Sequence, residues 1–282
     1  MSAPPAPSFF AGLGAVVRLA MLRTLRGRKL RVAAAATFVV ILFPAVVALL
    51  EEDADAADVV SGGIDWGFYR LLVFLLPVLF TSGTIGEEVE ARTMHFLTMR
   101  PISRSAIALG KYAVATASAL AVLWAGLVLL HVIGYATSPT LLIDQAPETA
   151  RAGGAASLLV MAYSGICLLW GALVPEAGGM ISVVWLGFVE WFLALFPGII
   201  RFISLSHWAR ELGGLERAGW ADWVPEVELW ICALVVTAGV APLHGLRCVD
   251  GAALGAAGGQ GLRPCGRTRT SASHAPTSGR AR

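Results

Sequence analysis

The chain has 282 residues, of which 57% are hydrophobic and 14% are charged, and its formal net charge is +2. Soluble domains carry about 25% charged residues, so this composition argues against an ordinary soluble protein and favours a membrane protein. The net charge gives no information about nucleic-acid binding, and no nucleic-acid partner is expected. None of the four cysteines has the spacing of a metal site or a CxxC motif.

The first segment, residues 1–31, is predicted to be a cytoplasmic region that holds an amphipathic helix over residues 9–25. Its apolar side chains recur at helical spacing on one face, and three arginines lie off that face. The apolar set is Phe10, Leu13, Val17, Ala20 and Met21, and the arginines are Arg18, Arg23 and Arg26. Such a helix is expected to lie along the membrane surface and to contact lipid.

Six apolar stretches follow. Five of them have roughly the 20 residues that a membrane-spanning helix needs, and the third is long enough to tilt or to extend beyond the bilayer. The six stretches cover residues 32–50, 68–85, 106–135, 155–174, 180–200 and 229–246. The fourth and fifth are separated only by the sequence PEAGG, which predicts a tight helical hairpin. The sequence therefore predicts an all-α polytopic membrane protein, with a six-span transmembrane domain over residues 32–246.

The charges of the loops predict the orientation of the spans. Basic residues precede the first span, namely Arg18, Arg23, Arg26, Arg28, Lys29 and Arg31, whereas Glu51, Glu52, Asp53, Asp55, Asp58 and Asp65 follow it. Short cytoplasmic loops carry the excess of Lys and Arg, so the N-terminus is expected in the cytoplasm. With six spans, both termini of this multi-pass protein lie on the cytoplasmic side of the inner membrane. Residues 247–282 have the composition of a disordered cytoplasmic tail.

A polar segment, residues 199–228, separates the last two predicted spans. It carries Trp208, Trp220 and Trp223 among glycines and charges of both signs. Indole rings are enriched at the headgroup level of membranes. The segment is therefore predicted to be an outer-surface or partly re-entrant element that these tryptophans anchor.

The most polar internal stretch lies between the second and third predicted spans. Residues 86–99, called the connector below, can form a short helix with Glu87 and Glu88 near its positive end and a Glu88–Arg92 pair. Pro101 then interrupts the chain, and Ser103 can cap the third span. Two interpretations remain open, a rigid cytoplasmic helix that passes force from a partner to the spans and a solvated loop without a partner. A phosphate-binding loop is excluded because Ser105 and Tyr112 stand where that motif needs Gly and Ser or Thr.

Placing an ionisable side chain inside a membrane costs free energy, so the ionisable residues within the predicted spans are candidates for function. Glu190 lies in the middle of the fifth span. It either faces a translocation path or the interface of a dimer, or it is a protonated or helix-paired glutamate with a packing role. Arg70 is expected to reach the headgroups or to neutralise the acidic first loop, and His131 to be a satisfied interfacial histidine. The spans contain no HExxH, no GxSxG and no pair of aspartates, so the motifs of an intramembrane enzyme are missing.

The sequence GTIGEEVEARTMHFLTMRPISRSAIALGKY, residues 83–112, resembles the signature region of type-2 ABC exporter permeases. In that family an acidic residue precedes an Arg/Gly-Thr step, and an apolar run, Pro-x-Ser-Arg and Gly-Lys follow. The matching residues are Glu87, Glu90, Arg92, Thr93, Leu97, Pro101, Ser103, Arg104, Gly110 and Lys111. The likeness extends over roughly residues 10–245, whereas the tail departs from the family.

The resemblance implies a permease subunit of an ATP-driven exporter. Two such subunits, identical or different, would form the pore by alternating access, and a separate ABC ATPase would bind ATP and magnesium, so that this chain itself binds no cofactor. The connector would be the coupling helix, with Glu87, Glu88, Glu90, Arg92, Thr93, Pro101, Ser103, Arg104 and Lys111 as coupling residues. The alternatives are a non-transporting membrane anchor of an ATPase complex and an intramembrane enzyme. The substrate is left open.

Overall fold

The structure is a computed structural model that describes residues 9–50, 55–82, 104–136, 138–174, 177–190, 192–193 and 203–215. Of these residues 93% are helical, and no strand occurs among them, which agrees with the predicted all-α class. The connector, the sixth predicted span at residues 229–246 and the tail at residues 247–282 lie outside the described residues.

The first two helices are separated by a single glycine. Helix α1 covers Phe9–Arg26 and helix α2 covers Arg28–Leu50. Between them the amide of Gly27 donates a hydrogen bond of 3.1 Å to the carbonyl of Thr24. The break therefore lies at residue 27, so the basic residues 28–31 belong to α2 and not to the predicted surface helix.

Helix α1 packs mainly against the start of the later helix α4 (Arg104–Gly134) rather than against α2. A Cβ at Gly110 of α4 would lie 3.0 Å from Val16 Cγ1 and 3.4 Å from Leu13 Cδ1. Leu13, Val17 and Ala20 of the predicted apolar face are half-buried, but Met21 is 53% exposed. The face of α1 that packs against α4 therefore includes Val16 and leaves Met21 exposed, unlike the predicted apolar face. Val16 fits there because Gly110 has no side chain.

The second apolar helix, α3, runs without interruption from Ala56 to Ser82, and its segment Ala56–Thr81 is long and apolar enough to cross a membrane. It begins at residue 56 and not at residue 68 as predicted, and the Asp55 side chain caps it by accepting a hydrogen bond of 3.1 Å from the amide of Ala57. Two parts of it, Gly63–Leu72 and Val78–Ser82, are wound as π-helix. The prediction failed because Asp58 and Asp65 were assigned to a loop by their charge.

The next three helices that the structure describes after α4 are the short α5 (Pro139–Asp144), α6 (Ala146–Leu173) and α7 (Gly178–Glu190). Helix α4 has 31 residues, or about 46 Å at 1.5 Å per residue, and is thus longer than the roughly 30 Å hydrocarbon core of a bilayer. Helix α6 begins at residue 146, earlier than the predicted residue 155.

The predicted hairpin between the fourth and fifth apolar segments is confirmed. Helices α6 and α7 pack closely because both carry glycine at the contact: a Cβ at Gly178 would lie 2.6 Å from the Cα of Gly171. Near this contact the rings of Trp170 and Trp185 are 5.8 Å apart. Similar close packing joins α4 to its neighbours, since a Cβ at Gly126 would overlap the methyl group of Thr37 on α2.

The last described helix, α8, covers Leu205–Gly213 and ends at Gly214, whose φ of 73° is the left-handed conformation that glycine adopts without strain. It lies against α6, and its C-terminal end is held where Arg151 Nε donates a hydrogen bond of 2.9 Å to the carbonyl of Leu212. Trp208 is buried in the core and therefore is not the surface anchor that the sequence predicted. Trp220 and Trp223 lie outside the described residues.

Four of the described helices are long and apolar enough to cross a membrane. They are Arg28–Val46, Ala56–Thr81, Leu109–Gly134 and Ala146–Leu173, while Gly178–Glu190 is a shorter apolar helix. The core that joins them contains fully buried side chains such as Leu72, Leu76, Leu123 and Leu159. The chain is thus compatible with a membrane-embedded helical protein, and the count of six spans stays a prediction.

Candidate functional site

Most of the predicted coupling residues lie outside the described residues. These are Glu87, Glu88, Glu90, Arg92, Thr93, Pro101 and Ser103. Arg104 is the first residue of α4, and Lys111 is buried on the same helix next to Gly110. The structure therefore describes the end of the signature region, where it contacts α1, and the coupling roles stay predictions.

Glu190, the predicted residue within the fifth span, lies at the centre of a polar cluster inside the bundle. It is only 8% exposed, and its Oε1 atom accepts three hydrogen bonds. The Tyr163 hydroxyl of α6 donates at 3.0 Å, the Ser204 hydroxyl at 2.9 Å and the backbone amide of Ser206 at 2.9 Å. A buried acidic side chain is thus satisfied by donors from two other parts of the chain.

Two of these donors belong to the beginning of α8. Ser204 is the residue that precedes α8, and its hydroxyl also lies 2.8 Å from the hydroxyl of Ser206. The first amides of a helix have no partner within the helix, and they carry the positive end of its dipole. The carboxylate of Glu190 supplies both an acceptor and a negative charge at that position, so a side chain of α7 caps α8.

A cavity of about 260 Å³ adjoins this cluster between α3, α6, α7 and α8. Its walls include Arg70, Phe74, Tyr163, Leu186, Glu190 and Arg210. Two of its walls, Gly63–Leu72 of α3 and Trp185–Glu190 of α7, are π-helical. Such segments are rare and often occur at functional sites.

The two arginines of the cavity share one carboxylate. Arg210 Nε lies 2.7 Å from Asp65 Oδ1, and Arg70 Nε lies 3.7 Å from Asp65 Oδ2. The guanidinium of Arg70 also lies over the ring of Trp66, 3.9 Å from its centroid. Arg70 therefore interacts within the bundle instead of only reaching the headgroups, and one of the acidic residues assigned to the first loop, Asp65, is its partner.

His131 at the end of α4 is satisfied, as predicted. Its Nδ1 lies 2.9 Å from the hydroxyl of Thr149, and its Nε2 lies 3.0 Å from the carbonyl of Leu142. Because a carbonyl only accepts, Nε2 carries the proton and Nδ1 accepts from Thr149 when the ring is neutral. This histidine joins the ends of α4, α5 and α6 and does not face the cavity.

The cluster is suited to binding and to holding α8 in place. Across the described ranges, no group of three His, Cys, Asp or Glu side chains could hold a metal ion. The sequence predicted Glu190 as a candidate site residue but did not predict the other polar residues of the cluster and cavity, namely Asp65, Tyr163, Ser206 and Arg210. The sequence contains one weak indication of them: Ser206 and Arg210 are four residues apart, which places them on one face of a helix.

Comparison with known proteins adds no assignment, since no protein-family model and no curated protein matches this chain.

Proposed function

We propose that this chain is the transmembrane subunit of an ATP-driven ABC exporter, which moves its substrate across the cytoplasmic membrane by alternating access. A separate ATPase would bind ATP and magnesium and dock on the connector. The proposal starts from the resemblance of residues 83–112 to the permease signature. It is supported by the four apolar helices that are long enough to cross a membrane.

The contact between α1 and Gly110 is the structural observation that supports this proposal most strongly. Gly110 belongs to the Gly-Lys pair that closes the signature, and Val16 and Leu13 of α1 lie against it. The outward side of α1 exposes Leu19, Leu22 and Leu25 together with Arg18 and Arg26. A helix of this kind, packed beside the end of the connector, would sit at the membrane surface next to a docked ATPase.

The orientation that we propose for the chain rests on the basic residues near its N-terminus. If the basic N-terminus is cytoplasmic, then the start of α4 and the end of α6 face the cytoplasm, and the start of α6 faces outward. Helix α8 would then extend from Glu190 inside the membrane to Arg151 at the outer side. Tyr163 and Arg151 are about 18 Å apart along α6, so α8 fits the partly re-entrant element that the sequence suggested.

The proposal predicts a complex whose formation depends on the connector. We would co-express the full chain with ABC ATPase subunits from its own genome, purify it from membranes and measure co-elution and ATP hydrolysis. The variant has charge reversals at Glu87, Glu90 and Arg104. The matched control reverses Glu51 and Glu52, which lie in the predicted outer loop.

The wild type and the control should co-elute with an ATPase, and the connector variant should not. Failure of the wild type to bind any ABC ATPase would contradict the proposal. A complex whose ATP hydrolysis responds to no transported compound would favour the alternative of a non-transporting anchor. Turnover of a compound without any ATPase would instead indicate an intramembrane enzyme.

A further inference from the structure

We infer that the cavity between α3, α7 and α8 binds the anionic headgroup of a membrane amphiphile, that is, a phosphate or carboxylate group attached to an apolar chain. The inference concerns residues outside the connector, and it stands whether or not the chain is an exporter subunit. It rests on three properties of the cavity: two arginines that share one carboxylate, apolar walls, and a mouth on the surface of the bundle.

The two arginines of the cavity share one acid. Asp65 is the only acidic side chain within ion-pairing distance of Arg70 or Arg210 in the part of the chain that the structure describes. Arg210 is the closer of the two at 2.7 Å, whereas Arg70 is 3.7 Å from Asp65 and lies over the ring of Trp66, with its buried Nε hydrogen-bonded to no described group. A charge-assisted hydrogen bond is strong in an apolar bundle, and an anion in the cavity would supply one to Arg70.

Glu190 is hydrogen-bonded to groups other than these two arginines. Its carboxylate lies at the beginning of α8, where three donors and the positive end of the helix compensate its charge. No ion pair joins it to Arg70 or Arg210 among the described residues. The positive side of the cavity, formed by Arg70 and Arg210, is therefore left to a ligand.

The remaining walls indicate an apolar portion of the ligand. Leu71, Phe74, Leu186 and Gly187 line the cavity beside the arginines. Leu71 is 46% exposed at the surface of α3. The cavity thus reaches the surface of the bundle at Leu71, where the chain of a bound amphiphile could leave it.

The size of the cavity favours a headgroup over a whole molecule. Sites that enclose a drug-sized ligand have volumes of about 300–1,000 Å³. The 260 Å³ measured here would hold a phosphate with a few attached atoms. A longer apolar chain would have to leave through the mouth at Leu71 and continue along the bundle surface, as an amphiphile in the membrane can.

Photolabelling in nanodiscs tests this site directly. The full chain would be reconstituted with phosphatidylglycerol that carries a diazirine near the start of its acyl chain, or with phosphatidylcholine that carries the same group. Mass spectrometry would compare labelling of the peptides around Leu71 and Leu186 with labelling of α1. The variants are Arg70→Gln and Arg210→Gln, and the control is Arg18→Gln on the exposed side of α1.

We expect phosphatidylglycerol to label the cavity peptides and phosphatidylcholine to label them weakly. Each cavity arginine variant should lower that labelling about tenfold, the loss that follows from one charge-assisted hydrogen bond. Arg18→Gln should leave it unchanged. Because an arginine variant could disturb folding, Leu71→Trp provides a second test, since it narrows the mouth without changing any charge and should also reduce labelling.

Three results would overturn the inference. The first is equal labelling by the two lipids, and the second is labelling that neither the arginine variants nor Leu71→Trp reduces. The third is complete competition by millimolar glycerol phosphate, which would show that the cavity takes a soluble anion and that the apolar walls contribute nothing.

Discussion

The carboxylate of Glu190 lies 2.9 Å from the backbone amide of Ser206, so a side chain of α7 caps a helix to which it does not belong. The same oxygen accepts hydrogen bonds from Tyr163 and Ser204. A single buried atom thus joins α6, α7 and the beginning of α8. This relationship accounts for an ionisable residue in an apolar segment, and it places that residue at the wall of a cavity.

Replacing Glu190 by alanine should destabilise the protein. The change removes the acceptor that three donors share, although the Ser204 hydroxyl can still donate to Ser206, and it should cost about 3 kcal/mol. The apparent melting temperature of the purified protein should fall by several degrees for Glu190→Ala and by less for Glu190→Gln, which keeps an acceptor oxygen. The control is Glu148→Ala, at an exposed position of α6 that should not affect stability. Equal melting temperatures for all three variants would contradict the capping role.

The shared carboxylate of Asp65 makes a second prediction. Asp65→Asn leaves two arginines in the bundle without an acidic partner and should destabilise it by about 2 kcal/mol. Because Asp65 and Arg210 are in direct contact, the double variant Asp65→Asn with Arg210→Gln should lose less stability than the sum of the two single variants. Additive losses in a thermal double-mutant cycle would show that the two side chains do not interact.

Two glycines provide a matched test of the α6–α7 hairpin. A Cβ at Gly178 would lie 2.6 Å from the backbone of Gly171, whereas a Cβ at Gly154 meets nothing within 4 Å. Gly178→Ala should therefore force the two helices apart and lower the melting temperature. Gly154→Ala should be neutral or stabilising by up to about 1 kcal/mol, since alanine favours the helix. The reverse order of stability would show that the hairpin is packed differently.

Disulfide formation tests the contact between α1 and α4. A Cβ at Gly110 would lie 3.4 Å from the Cβ of Val16, close to the 3.5–4.5 Å separation found in disulfides. With Cys167, Cys232, Cys248 and Cys265 replaced, the pair Val16→Cys and Gly110→Cys should crosslink on mild oxidation. A cysteine at Leu19, which is 70% exposed, should not crosslink to residue 110. Crosslinking of the second pair alone would mean that α1 presents its opposite face.

The apolar helices were predictable because membrane-spanning segments are continuous in sequence. Helices α2 and α4 lie where hydropathy predicted them, within about four residues at each end, whereas α6 begins nine residues before its predicted start. The predicted start of α3 was wrong because the charge of Asp65 indicates a loop residue when its ion-pair partner Arg210, far along the chain, is not known. A charge is compatible with a spanning helix when a distant residue compensates it, and hydropathy alone does not record that partner.

The candidate site was only partly predictable for a similar reason. Glu190 was recognisable as an acidic residue within an apolar run, but its donors come from Tyr163 on α6 and from the beginning of α8. Trp208 was interpreted as an interfacial anchor because glycines and charges surround it, yet it packs inward. The local sequence gives the polarity of a segment, whereas the face that it buries depends on the helices beside it.

The most direct test of the account is to identify what contacts the connector. A photoreactive amino acid would replace Glu90 in the connector, or Asp53 in the first predicted loop as the control, and adducts formed in native membranes would be identified by mass spectrometry. The account predicts that position 90 crosslinks to an ABC ATPase subunit and that position 53 does not. If position 90 gives no ATPase adduct, or if both positions give the same one, the proposed coupling between this chain and an ATPase is contradicted.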